Sequence, residues 1–116
     1  MKKYSLFLVF FLFITLFSST IWATSAEDNY KQFCWQCHGM KANGSGVNVQ
    51  DMSVQPRDHS SAKAMSGRTD EDLFKVIKEG GLAIDKSVLM PPWKDSLNDD
   101  EIHDLVKYLR KLCKCG

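Results

Sequence analysis

The chain has no excess of charge of either sign. Its 15 Lys and Arg stand against 14 Asp and Glu. A nucleic-acid binder gathers a basic surplus on one face, so this composition excludes that class on charge grounds. A long hydrophobic run is also missing. Leu6 to Phe17 is apolar apart from Thr15, which falls short of the roughly 20 residues that a membrane span needs. Internal repeats and low-complexity tracts are absent, so a solenoid or a disordered array is excluded. Histidine is scarce, with three in 116 residues, and no set of acid–base groups suggests an enzyme. The length fits one domain.

What is there begins with an address. Lys2 and Lys3 precede the apolar run, and Ala23-Thr24-Ser25-Ala26 follows it. This is the layout of a secretory signal peptide over residues 1–26, cleaved after Ala23 or Ala26. An uncleaved anchor is the alternative, because Ile21 and Trp22 prolong the apolar character. Loss of the leader takes Lys plus Arg from 15 to 13 against 14 acids, so residues 27–116 carry a net charge of about −1. The expected location is the periplasm or another exported compartment. A domain of about 90 residues has a thin core and often needs a staple.

The most informative stretch is Cys34-Trp35-Gln36-Cys37-His38. Cys-x-x-Cys-His is the attachment signature of c-type haem. Residues three and four apart share a helix face, so Cys34 and Cys37 can meet two vinyl groups on one porphyrin edge. His38 can then ligate the iron from the proximal side. An exported cysteine pair could instead be a disulfide, but the adjacent His38 favours one covalently attached haem c.

The remaining pattern is helical. Tyr30, Phe33, Cys34 and Cys37 form one stripe of a helix over 26–38. Glycines and asparagines from Gly39 to about Ser60 signal a loop that wraps one haem edge. A carbonyl near Pro56 could hold the Nδ1 proton of His38. A short helix is expected over 60–65, capped by Ser60 or Ser61. A better one over 69–79 is capped by Thr69 and stopped by Gly80-Gly81. Residues 82–97 lack a helix pattern, and Pro91-Pro92 forbids one. The last helix has Asn98 and Glu101 as a capping box and Ile102, Leu105, Val106, Leu109 and Leu112 as its apolar stripe.

The second axial ligand is expected to be a methionine thioether, the type that raises the potential of cytochromes c. Met40 lies too close to His38 to cross the haem. Met90 follows His38 by 52 residues in a proline-stiffened loop, which favours it over Met52 and Met65, both suited to filling gaps in a core. His59 and His103 are the bis-histidine alternatives. His59 follows Asp58 in a polar loop, and His103 lies off the apolar stripe, where a solvated residue is expected, so neither is favoured as an iron ligand.

These features resemble a small monohaem class I cytochrome c over essentially the whole mature chain. The resemblance rests on Cys34 to Gly39, Asn43-Gly44-Ser45-Gly46, Pro56-Arg57-Asp58, Arg68-Thr69-Asp70, Gly80-Gly81, Met90-Pro91-Pro92-Trp93 and Leu105-Val106-Lys107-Tyr108-Leu109-Arg110. It implies an all-α cytochrome c fold, with helices packed around one haem. It also implies that Ala26 and Tyr30 of the first helix meet Leu105 and Tyr108 of the last, and that a proximal carbonyl maps to Pro56. His59 departs from the family, standing where an apolar aromatic is common. So does the tail Cys113-Lys114-Cys115, which could bind a metal, join another subunit or close a local disulfide; one intervening residue disfavours a relaxed disulfide.

The expected function is one-electron transfer between redox proteins, with metal ligands His38 and Met90 and no enzymatic step. The partners are a donor and an acceptor redox protein, with transient docking on a membrane complex, and no nucleic acid. Trp35 lies where a docking patch or plain haem-edge packing would place it. Arg57, Arg68 and Trp93 are candidates to meet the haem propionates. Two rivals stand beside this reading: a haem ligand binder or sensor with a labile sixth position, and a thiol-redox or metal-handling protein that uses Cys34, Cys37, Cys113 and Cys115.

Overall fold

The computed structural model describes residues 23–116, so most of the expected leader lies outside the described residues. Among the described residues the fold has five α-helices, two short 3-10 turns and no strand. The helices are α1 (Ala26–Phe33), α2 (Trp35–His38), α3 (Ala62–Met65), α4 (Asp70–Glu79) and α5 (Asp99–Cys113). The turns are Val47–Asp51 and Gly81–Ile84. None of these helices is long and apolar enough to cross a membrane.

The helix boundaries follow from local chemistry. Ser25 caps α1 by accepting a hydrogen bond from the Asp28 amide, and Glu27 and Asp28 face the positive end of the helix dipole. Thr69 and Asp72 close a reciprocal capping box on α4. Asn98 and Glu101 do the same on α5, with Asn in the place of the usual Ser or Thr. Ser61 caps α3.

The core sits where α5 packs against both α1 and α4. Ile102, Leu105, Val106 and Leu109 lie on the inner face of α5, and Leu73 and Ile77 meet them from α4. Tyr30 comes from α1, its ring 5.5 Å from that of Tyr108. Met65 is fully buried in the same cluster. Full burial of one such apolar side chain contributes about 1.5–3 kcal/mol, so this small set carries much of the stability. The ion pair Arg110–Asp70, at 2.8 Å, ties the end of α5 to the start of α4.

Two expectations change. The helix over 26–38 is broken at Cys34, whose φ of −113° leaves the helical range. Cys34 keeps a right-handed backbone and serves both as the C-cap of α1 and as the N-cap of α2, at the first cysteine of the signature. The Cys113-Lys114-Cys115 tail does form a local disulfide, with Cα atoms 5.2 Å apart, inside the usual span for such bonds. Lys114 makes this fit by adopting the left-handed conformation that ends α5.

Candidate functional site

The turn that carries the signature is fixed by its own backbone. Cys34 donates its N–H to Tyr30 O and closes α1. His38 N–H then bonds Cys34 O at 2.9 Å, and Gly39 N–H bonds Trp35 O at 2.9 Å. The following loop folds back onto this turn. Gly44 N–H donates to His38 O at 2.8 Å, and Gly46 N–H donates to Cys37 O at 3.0 Å. Gly46 has to be glycine here because a Cβ would strike the carbonyl oxygen of Gln36, between the two cysteines.

His38 is buried, and its Nδ1 lies 2.9 Å from Arg57 O. A carbonyl only accepts, so Nδ1 carries the proton and Nε2 keeps its lone pair. Burial pushes the His38 pKa down, opposed by that hydrogen bond, so the ring is neutral and fit to ligate. The accepting carbonyl belongs to Arg57, one residue past the expected Pro56. Pro56 O instead abuts Gly44, which takes it away from the imidazole.

Beside His38 opens a cavity of about 420 Å³, lined by Cys34, His38 and Met90 together with apolar side chains from α4 and α5. A smaller space of about 70 Å³ is lined by Cys37 with the same three residues. The two spaces share Cys34, His38 and Met90 as lining residues, and Cys37 borders the smaller one. Of the methionines, Met90 lines both spaces, Met52 lines only the smaller, and Met65 is sealed in the core.

The Met90 loop is held from behind. Gly81 N–H donates to Met90 O at 2.9 Å, and Trp93 N–H donates to Ile77 O at 3.0 Å. Gly80 has a φ of +84°, and a Cβ there would lie 3.0 Å from Met90 O. The pair Gly80-Gly81 thus stops α4 and lets the Met90 segment pack on its end.

Cys34 and Cys37 form no disulfide with each other or with the C-terminal pair. Burial, with a smaller contribution from Cys37, pushes the Cys34 pKa up to about 12. Among the described residues no three of His, Cys, Asp and Glu gather as a metal site. The four cysteines do not converge: one pair faces the cavity and the other is bonded to itself at the end of α5.

The cavity also has a cationic edge. Arg57, Arg68 and Lys86 line it. Trp93, expected beside the arginines, borders the smaller space instead and packs on Phe33 with ring centres 5.1 Å apart. His103 is exposed and stacks on Phe74 at 4.4 Å.

His59 is the residue whose place its polar loop concealed. It is 7% exposed, stacked on His38 with ring centres 3.9 Å apart. Its Nδ1 lies 2.9 Å from the Tyr30 hydroxyl. Burial holds its pKa well below the ordinary value, and the Arg57 charge acts in the same sense. A signal for this existed in Tyr30: a phenol on a buried helix stripe needs a polar partner.

The residues present fit a covalent porphyrin. Two thiols border an apolar cavity, a neutral imidazole offers its lone pair, a thioether stands on the same cavity, and cations sit where carboxylates could be met. This fold and this site define a small c-type cytochrome. The family model described as cytochrome C oxidase, cbb3-type, subunit III, matches residues 23–109, and the chain belongs to that family. A solved structure, the KustC0563 c-type cytochrome, is similar at 25% identity with a TM-score of 0.60. That match covers 77% of this chain and 98% of the other. No curated protein matches. As a c-type cytochrome the chain carries a covalently attached haem c and is a haem-based electron carrier in the general sense.

Proposed function

We propose that the chain is an exported one-electron carrier between redox proteins, with haem joined to Cys34 and Cys37 and its iron held by His38 and Met90. The observation that carries this reading is that, among the methionines of the described residues, Met90 alone borders both spaces shared with His38. The haem supplies an iron that alternates between ferric and ferrous states.

The protein's own residues prepare that exchange. Arg57 O fixes the His38 tautomer and aims its lone pair. The apolar walls from Leu73, Ile77, Leu105 and Leu109 keep water away. Arg57, Arg68 and Lys86 are placed to neutralise propionates. Pro91 and Pro92 stiffen the segment that presents Met90, which lowers the entropy lost in holding a thioether in place. A filled sixth position leaves no room for a substrate, which suits electron transfer.

Export through a leader fits the haem signature. The structure adds a reason to favour cleavage after Ala23. Cleavage after Ala26 would remove Ser25, whose hydroxyl caps α1, at a cost of about 1 kcal/mol. The partners are redox proteins, met by transient docking that includes membrane complexes.

Carbon monoxide titration of the reduced holoprotein tests the proposal. Met90 ligation predicts little or no binding at neutral pH. Rapid, full binding would favour a ligand binder or sensor instead.

A further inference from the structure

The Cys113–Cys115 pair has no part in holding haem. A disulfide stabilises chiefly by closing a loop in the unfolded chain, and more so for long loops. This one encloses a single residue and joins no separate elements, so it is a poor staple. Its two sulfurs also differ in access. Cys113 is 3% exposed in the core, whereas Cys115 is half-buried at the surface.

A cation has been fixed beside the accessible sulfur. Arg110 Nη1 lies 3.7 Å from Cys115 Sγ. The same guanidinium donates through Nε to Asp70 Oδ1 at 2.8 Å and through Nη2 to Arg68 O at 2.6 Å. Those two bonds set its direction, so it is not a passing surface charge. Lys111 and Lys114 add positive charge within the same turn. Access therefore selects Cys115 for attack, and the cation beside it favours its thiolate when it later leaves a mixed disulfide. The buried sulfur has its own partner for the reduced state, because Cys113 Sγ lies 3.4 Å from Arg110 O.

We propose that Cys113 and Cys115 form a second redox centre, a thiol–disulfide exchange site in which Cys115 is the sulfur attacked and the reductant is a thiol, best supplied by a dithiol protein. The donor's first thiolate attacks Cys115 Sγ and forms a mixed disulfide. The Cys113–Cys115 bond breaks, and Cys113 leaves as a thiolate that takes a proton and donates it to Arg110 O. The donor's second thiolate then attacks its own sulfur in the mixed disulfide. Cys115 leaves as a thiolate beside Arg110, and the donor departs as a disulfide. Two electrons pass to the chain and two donor thiols are oxidised. This couple works in steps of two electrons, unlike the iron, and its accessible sulfur lies beyond the end of α5.

The test uses the holoprotein. It is equilibrated with reduced and oxidised glutathione at set ratios, and separately with reduced thioredoxin as a dithiol protein. Acid quenching, maleimide labelling and peptide mass analysis then count free Cys113 and Cys115. The expected result is full, reversible labelling of both, faster with the dithiol protein. Reduction by glutathione alone would assign the site to small thiols; reduction by neither overturns it. In the Cys113→Ser variant, Cys115 should form a mixed disulfide with oxidised glutathione, while Cys113 in Cys115→Ser should not. Adding Arg110→Gln to Cys113→Ser should slow that reaction about threefold for each pKa unit that the guanidinium supplies. Arg110→Lys should restore much of the rate, which separates charge from packing. Equal reactivity of the two cysteines, or an unchanged rate in Arg110→Gln, would refute the assignment.

Discussion

Removing one oxygen atom from Tyr30 should reveal what the buried polar pair behind His38 contributes. Tyr30 is 2% exposed and His59 is 7% exposed, so neither group has water as a substitute partner. Their hydrogen bond spans 2.9 Å. Burial holds the His59 pKa low and the Tyr30 pKa high, so the pair is a neutral imidazole against a neutral phenol. Tyr30→Phe keeps the ring packing on Tyr108 and leaves His59 Nδ1 buried without a partner, which costs about 1–3 kcal/mol. For a domain of this size, 2 kcal/mol corresponds to a fall of about 8–16 °C in Tm. His59→Phe should cost a similar amount by stranding the hydroxyl. The double variant replaces both polar groups with apolar ones and should recover much of the loss. The assay is denaturant unfolding of the four holoproteins, followed by far-UV circular dichroism, as a double-mutant cycle. The expected coupling is about 1–3 kcal/mol. Additivity within about 0.5 kcal/mol would refute the reasoning, because independent sites behave that way.

Three further outcomes follow from particular contacts. Gly46→Ala forces a methyl group against Gln36 O, so the signature turn must shift; the covalent haem signal on a denaturing gel should drop sharply in that variant. Leu105→Ala empties space in the core beside the large cavity and should cost about 2–5 kcal/mol in denaturant unfolding. Thr69→Ala removes half of the α4 capping box and should cost about 1 kcal/mol. Hydrogen bonds from Thr69 hold the Asp72 carboxyl below its ordinary pKa. The largest part comes from the Thr69 backbone N–H, which donates to the Asp72 carboxylate; it is full above the unfolded carboxyl's pKa and is lost as pH falls through the folded one, so the deficit of an Asp72→Asn variant should narrow in acid.

Helix existence and the signature were legible because both depend on short-range pattern. The two capping boxes, the α5 stripe and the Gly80-Gly81 stop use residues within a few positions of each other. The break at Cys34 was hidden, since the apolar stripe runs through it unbroken and only the backbone angle shows it. The shift from Pro56 to Arg57 was also hidden: which carbonyl meets His38 depends on how a long glycine loop folds back, and spacing does not decide that. The polar neighbours of His59, Asp58 and Ser60, gave no sign of its burial. Its burial comes from Tyr30 and His38, respectively 29 and 21 positions earlier in the chain. Two prolines and distance along the chain single out Met90 as an expected ligand, whereas its place on the same cavity as His38 needed the tertiary structure.

The absorption spectrum of the oxidised holoprotein, taken beside that of Met90→Ala, tests the axial pair most directly. A thioether bonded to ferric haem gives a weak long-wavelength charge-transfer band. His38–Met90 ligation predicts that band in the parent protein and its loss in the variant, with the haem still covalently attached. A parent spectrum without the band, or a variant that keeps it, would contradict the account.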